Sequence, residues 1–355
     1  YEPATLSGDT YQIGNGGQMF WFASLVNGDK THAEFPGRNQ IAAGVLTANI
    51  DLENREWKPI AEFNGRFDGQ NYTISKFKLT ETKSYIGFFG SSAGTIRSFT
   101  LEGTITLSGI DAERVGGVVG YANGATLSNI ISAVHIRNED SAYKHVGGVV
   151  GGIDDGETVI EQCLFTGSIT LSSSADCIGG IVGYSRKGAR ISHCANLGTV
   201  TATEPGAYVG GILGYLNNSN PSLKNCYNYG EVKNGGGDHC GAIVGWLRTH
   251  SAAKLTDNYY LDTSAPSAFG SGSSSTSAKA PAKDAAAFAS GEVCYLVNGS
   301  SSADDVIWRQ DVDNGSTPYD AYPMFGGGIV YRNQSHDCTA GDYLYAYSNS
   351  VEEED

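Results

Sequence analysis

No run of about 18 apolar residues occurs in the chain, so no segment reads as a membrane-spanning helix. Basic residues are scarce: 23 Lys and Arg stand against 38 Asp and Glu, a net charge of −15. That balance argues against nucleic acid or an anionic membrane as partner, since both favour a basic face. Prolines number nine in 355 residues, too few for a low-complexity linker protein. Seven cysteines are too few for a disulfide scaffold, and the odd count leaves at least one thiol unpaired within the chain. A chain of this length buries a core without such staples. Catalytic signatures are also missing. There is no G-x-S-x-G, H-E-x-x-H, phosphate loop or G-x-G-x-x-G, and Gly183-Tyr-Ser-Arg-Lys-Gly188 is one residue too long for the first. No cofactor is expected. The chain starts at Tyr1 with neither Met nor a signal peptide, which reads as a mature or trimmed fragment.

Glycine is what the chain has in excess, 48 of 355 residues. It has no period of three, which excludes collagen, and 40% hydrophobic residues exclude a disordered chain. The glycines mark a repeat. Ile86-Gly-Phe-Phe-Gly90 is followed by Val115-Gly-Gly-Val-Val-Gly120, Val146-Gly-Gly-Val-Val-Gly151 and Ile178-Gly-Gly-Ile-Val-Gly183. Val209-Gly-Gly-Ile-Leu-Gly214 and Cys240-Gly-Ala-Ile-Val-Gly245 complete six copies, 30 to 32 residues apart. Each copy continues with two apolar anchors three residues apart, such as Ile96/Phe99, Leu127/Ile130 and Ile191/Cys194. A glycine-opened segment then follows in most, such as Gly198-Thr-Val200. The segments are short, β-branched and bounded by Gly, Asn and Ser, so they read as strands rather than paired helices. One coil cannot bury its apolar face alone, so coils stack. The expectation is an all-β parallel β-solenoid of about 31 residues per coil, right-handed as parallel connections usually are.

The Gly-Gly-φ-φ-Gly-Tyr block, followed by φ-x-x-Cys and Gly-x-Val, resembles the GLUG-motif repeats of bacterial cell-surface and adhesin-like proteins. Trp57-Lys-Pro-Ile60, Phe63-Asn-Gly-Arg-Phe-Asp-Gly69 and Tyr72-Thr-Ile74 look like the coils that open such arrays. Ser290-Gly-Glu-Val-Cys-Tyr-Leu-Val-Asn298, Trp308-Arg-Gln310 and Tyr322-Pro323 resemble the segment that follows them. The resemblance implies surface display and adhesion rather than one reaction.

The chain divides accordingly. Residues 1–42 form an N-terminal cap, with Met19, Phe22, Ala23 and Val26 at amphipathic spacing in a helix over 17–27 that ends at Asn27-Gly28. Such a helix covers exposed strand edges. Residues 43–264 form the solenoid, with six regular coils over 85–262. The Ser/Gly/Ala-rich stretch 265–283 reads as a flexible connector. Residues 284–355 read as a small α/β cap, with a helix near 284–289, strands near 293–297, 329–332 and 343–347, and a solvated acidic tail.

Several side-chain groups carry candidate chemistry. Cys163, Cys194 and Cys226 recur at one repeat position and read as an inward structural ladder, because stacked side chains run parallel and a zinc ion needs four convergent ligands. His145, Cys177 and His239 share another position and read as ordinary surface or edge residues. Cys294 and Cys338 are the favoured pair if a disulfide exists. Asp154, Asp155 and Glu157 read as ion-paired across coils, Asp154 with Arg186 and Asp155 with Lys187, rather than as a Ca²⁺ site. Asp311-Val-Asp-Asn-Gly315 lacks the ligand pattern of a calcium loop and reads as a turn. Tyr121, Tyr184, Tyr215 and Trp246 form an aromatic column that Gly152 interrupts. It reads as cross-strand packing or as a platform for sugar rings or partner strands.

The leading expectation is a non-catalytic, surface-displayed or secreted bacterial module that binds a host or microbial glycan, or a surface protein, through a solenoid face. The alternatives are a β-helix polysaccharide lyase or glycosidase, which needs two carboxylates about 5–10 Å apart, and a structural spacer within a larger surface protein.

Overall fold

The computed structural model describes residues 1–29, 37–80, 84–108, 113–138, 144–154, 157–172, 175–186, 189–217, 222–248, 254–272, 280–312, 320–332 and 343–346. The fold is a parallel β-solenoid. The chain enters through an antiparallel hairpin, β1 (Thr5–Ser7) and β2 (Thr10–Ile13), then α1 (Gly16–Asn27). An irregular turn follows: β3 (Ala43–Leu46), β4 (Ile50–Asp51), β5 (Ile60–Phe63) and β6 (Arg66–Leu79). The first regular coil is β7 (Tyr85–Ile86), β8 (Phe89–Ser92) and β9 (Thr95–Leu107), and the second is β10 (Arg114–Gly116), β11 (Val119–Ala122) and β12 (Thr126–Asn138). Four more coils, over 145–171, 177–202, 208–234 and 240–261, continue this plan with their longest strand broken into pieces. Corresponding strands pair in parallel from coil to coil, so three sheets run the length of the stack.

Two local features turn the repeat into a closed coil. Anchors three residues apart would face opposite sides of an extended strand. The residue before the second anchor resolves this. Ser98, Asn129, Gln162, His193, Asn225 and Asp257 all take left-handed conformations, with φ between 51° and 60°. That conformation resets the alternation, so Leu127 and Ile130 both point inward, with Ser132, Val134 and Ile136 following at period two. The glycine block serves close approach. A Cβ on Gly147 would lie 1.9 Å from the Val150 carbonyl oxygen, and one on Gly148 would lie 2.3 Å from the Phe165 ring.

The core runs unbroken from α1 through the last coil. α1 is not amphipathic: Met19, Trp21, Phe22, Ala23, Ser24, Leu25 and Val26 are all buried, because the hairpin and the irregular turn enclose it. Its last residue closes the edge of β5. The Asn27 side-chain amide donates to the Pro59 carbonyl (3.0 Å), and its oxygen accepts from the Ala61 N–H (2.8 Å), as a neighbouring strand would. Trp57 Nε1 likewise donates to the Phe88 carbonyl (3.0 Å).

The C-terminal part departs from expectation in three ways. Residues 264–272 are not a loose connector: they extend the stack, with Ile243 N–H donating to the Ala268 carbonyl and Phe269 bridged to Val244. Buried Ser264 accepts from Asn228, which accepts in turn from Asn196 (3.0 and 2.7 Å). The stretch 292–297 is not a strand but a helix, α3 (Glu292–Val297), which follows α2 (Ala285–Ala289). Val293, Cys294 and Val297 are its buried residues. Finally, this module covers more than the end of the stack. Ala282–Lys283 pair with the last coil, while Phe288, Val293, Cys294, Val297 and Trp308 pack on an outward apolar column, Leu164, Ala195 and Tyr227, on the flank of the solenoid. Trp308 Nε1 donates to the carbonyl of left-handed Asn225 (2.7 Å). Cys338, Asp155, Lys187, Asp313 to Gly315 of the Asp311–Gly315 turn and the acidic tail lie outside the described residues.

Candidate functional site

The aromatic column is in register. Tyr121 stands opposite Gly152, Gly152 opposite Tyr184, Tyr184 opposite Tyr215 and Tyr215 opposite Trp246. The position just before the glycine block forms a second column beside it: Tyr85, Arg114, His145, Cys177 and Tyr208. His239 precedes Cys240, the partner of Val209, and so continues it. Sequence reasoning singled out His145, Cys177 and His239 from this column but missed Tyr85, Arg114 and Tyr208, which the same repeat alignment places there.

The two columns interlock. Tyr85 stacks on Tyr121 (5.1 Å between centroids), His145 on Tyr184 (4.2 Å), Tyr184 on Tyr215 (5.3 Å) and Tyr208 on Trp246 (4.8 Å). Gly152 is not a gap. Arg114 fills the space, since a Cβ on Gly152 would lie 2.8 Å from its Cδ. The Arg114 guanidinium lies 4.8 Å from the Tyr121 ring centroid and pairs with Asp154 and Glu113. Asp154 therefore pairs with Arg114 and not with Arg186, because the missing side chain at Gly152 lets Arg114 reach one coil further.

Tyr215 meets Tyr208 and Trp246 edge to face, with centroids 5.2 and 5.0 Å apart. Ring contacts of these kinds are worth about 0.5–1.5 kcal/mol each beyond burial. Burial, reinforced by the Arg114 and Lys144 charges, pushes His145 down to about 3, so its ring packs as the neutral form.

The thiol column is wholly interior. Cys163, Cys194 and Cys226 are buried and free, and each donates to the carbonyl two residues before it, Glu161, Ser192 and Lys224 (3.2–3.3 Å). Burial pushes the Cys163 and Cys226 thiols well up. Asn258 takes this position on the last coil, its side chain accepting from the Cys226 N–H and donating to the Leu223 carbonyl. Among the described residues, no group of three or more His, Cys, Asp or Glu is arranged to hold a metal ion. Cys294 is a buried free thiol on α3.

A feature that sequence reasoning did not anticipate lies at the other end. The outer faces of β2, β3, β6 and β9 form an open groove of about 1020 Å³. Its walls carry the ion pairs Asp9–Arg66 (2.7 Å) and Asp68–Arg97 (2.7 Å).

No family model matches the chain. Over 158 residues, 41% of this chain, it is 24% identical to Halomucin from Haloquadratum walsbyi, of whose length the match spans 2%. The crystal structure of a Bacteroides ovatus protein, provisionally assigned as an immunoglobulin A1 protease, is similar with a TM-score of 0.47 at 18% identity, over 91% of this chain and 93% of that one.

Proposed function

We propose that the chain is a non-catalytic, adhesin-like module of a surface-displayed or secreted protein, of the GLUG-repeat kind, that binds glycan or protein through a lateral face of the solenoid. The observation that carries this reading is how the surface acids are used. Asp9, Asp51, Asp68 and Asp154 each pair with a cation on another strand of the stack: Arg66, Lys76, Arg97 and Arg114. The Thr10 hydroxyl and the Arg66 charge hold Asp9 below the usual carboxylate range, and the Lys76 ammonium does the same for Asp51. A glycosidase acid needs the opposite shift. These carboxylates stitch coil to coil. The likeness to a stretch of Halomucin amounting to 2% of that protein supports a module within a much longer chain.

The test is incubation of the intact protein with plant, mucin and microbial glycans, reading retention on immobilised glycan and release of reducing or unsaturated ends together. Retention without new ends is the expected result. Turnover of any glycan would overturn the non-catalytic reading in favour of a lyase or glycosidase.

A further inference from the structure

We infer that the groove across β2, β3, β6 and β9 is a binding site for a neutral oligosaccharide; this rests on the adhesin-like reading above and names its site and ligand class.

The groove exists because one turn of the stack carries short outward side chains. Thr10, Ala43 and Arg66 stand in one row, and Gln12, Val45 and Asp68 in the next. On β3 the outward residues are therefore Ala43 and Val45, flanked on both sides by longer polar groups. The result is a trough with polar walls whose accessible apolar floor is Val45, Ala43 being buried. Arg66 reaches across Ala43 to Asp9 on the hairpin, and Arg97 reaches back to Asp68. The trough runs along β3, and its four strands at about 4.8 Å spacing span about 14 Å from wall to wall.

Each part matches one property of a sugar ring. The floor takes the C–H face of a pyranose, whose burial against Val45 is favourable in the ordinary hydrophobic sense. The walls present planar amide, carboxylate and guanidinium groups, which satisfy paired hydroxyls two bonds at a time. Ser7, Thr10 and Thr95 add hydroxyls at the rim. The charges select against ions. Two carboxylates face two guanidiniums within the groove, and the chain carries −15 overall, so a polyanion gains nothing here and is repelled at distance. A site with few convergent polar groups around an apolar floor is the usual form of a ligand pocket. The flank over the later coils is already covered by the C-terminal module.

The experiment is calorimetric titration of the full chain with cellohexaose, xylohexaose and mannohexaose, with hexagalacturonate and a heparin hexasaccharide as charged comparators. Wild type, Val45→Arg and Gln12→Ala are compared. Val45→Arg fills the trough from its floor on an outward position, so its melting temperature reports whether the coil is intact. Binding of at least one neutral hexamer, weakened at least tenfold by Val45→Arg and weakened by Gln12→Ala at unchanged melting temperature, is the expected result. Neutral binding that Val45→Arg leaves unchanged overturns the groove assignment while leaving the adhesin-like reading standing. Binding to the charged comparators alone overturns the ligand class. No binding to any of the five overturns the inference and removes these glycans from the reading of function.

Discussion

The left-handed residue before each second anchor is the smallest unit on which the coil depends. Six non-glycine residues hold φ above 50° at one repeat position, a conformation that costs L-residues about 1–2 kcal/mol each. Gln162 is the cleanest place to test it. Gln162→Val should lower unfolding stability by about 1–3 kcal/mol, because a β-branched side chain tolerates that region worst. Gln162→Gly should be neutral or stabilising. Urea unfolding midpoints read both, and a stabilising valine would contradict the assigned backbone. His145 supplies a second test. Its folded pKa, about 3, lies below its unfolded value near 6.5, so the neutral ring is favoured in the fold. Its contribution is present above pH 6.5 and is lost as pH falls towards 3, at up to about 1.4 kcal/mol per unit. His145→Gln should flatten the stability profile between pH 6 and 4. An unchanged slope would place the acid sensitivity elsewhere.

At the scale of elements, the stack survives because its first edge is closed. Asn27 occupies both the donor and acceptor positions that β5 offers to a missing strand. Asn27→Ala should cost about 1–3 kcal/mol, two hydrogen bonds at about 0.5–1.5 each, and should promote edge-to-edge association. Size-exclusion chromatography and thermal melting together check this; a monomer of unchanged stability would refute the capping role. The elements that were legible in the amino-acid sequence are those whose signal repeats. Six glycine blocks at one spacing reveal the coils and the aromatic column, since an alignment of the copies is itself a map of the rows. Elements that occur once were harder. Val293-Cys-Tyr-Leu-Val297 has the composition of a strand, yet it forms a helix because Val293, Cys294 and Val297 face the flank of the stack together. Five residues are too few for periodicity to separate the two. Residues 264–272 have a linker's composition, but Ser264 completes a buried chain of hydrogen bonds from Asn196 through Asn228. The groove was invisible for a related reason: its floor is defined by what Ala43 and Val45 lack beside longer neighbours, and no motif records a missing side chain.

For the molecule as a whole, two long features divide the labour. The interlocked ridge of Tyr85, Tyr121, His145, Tyr184, Tyr215, Tyr208 and Trp246 joins coil to coil through stacked and edge-to-face ring contacts. In the polar trough at the first turns the Arg66–Asp9 bridge covers Ala43 and leaves Val45 part-exposed, and the C-terminal module closes the opposite end and flank. Ligand should therefore act on the trough and leave the ridge untouched. Hydrogen exchange of the intact chain, with and without a saturating neutral hexasaccharide, tests this division most directly. The account predicts added protection in β2, β3 and the starts of β6 and β9, with exchange over residues 182–247 unchanged. Protection that instead tracks the strands carrying Tyr184, Tyr215 and Trp246 would contradict it and make the ridge the binding face.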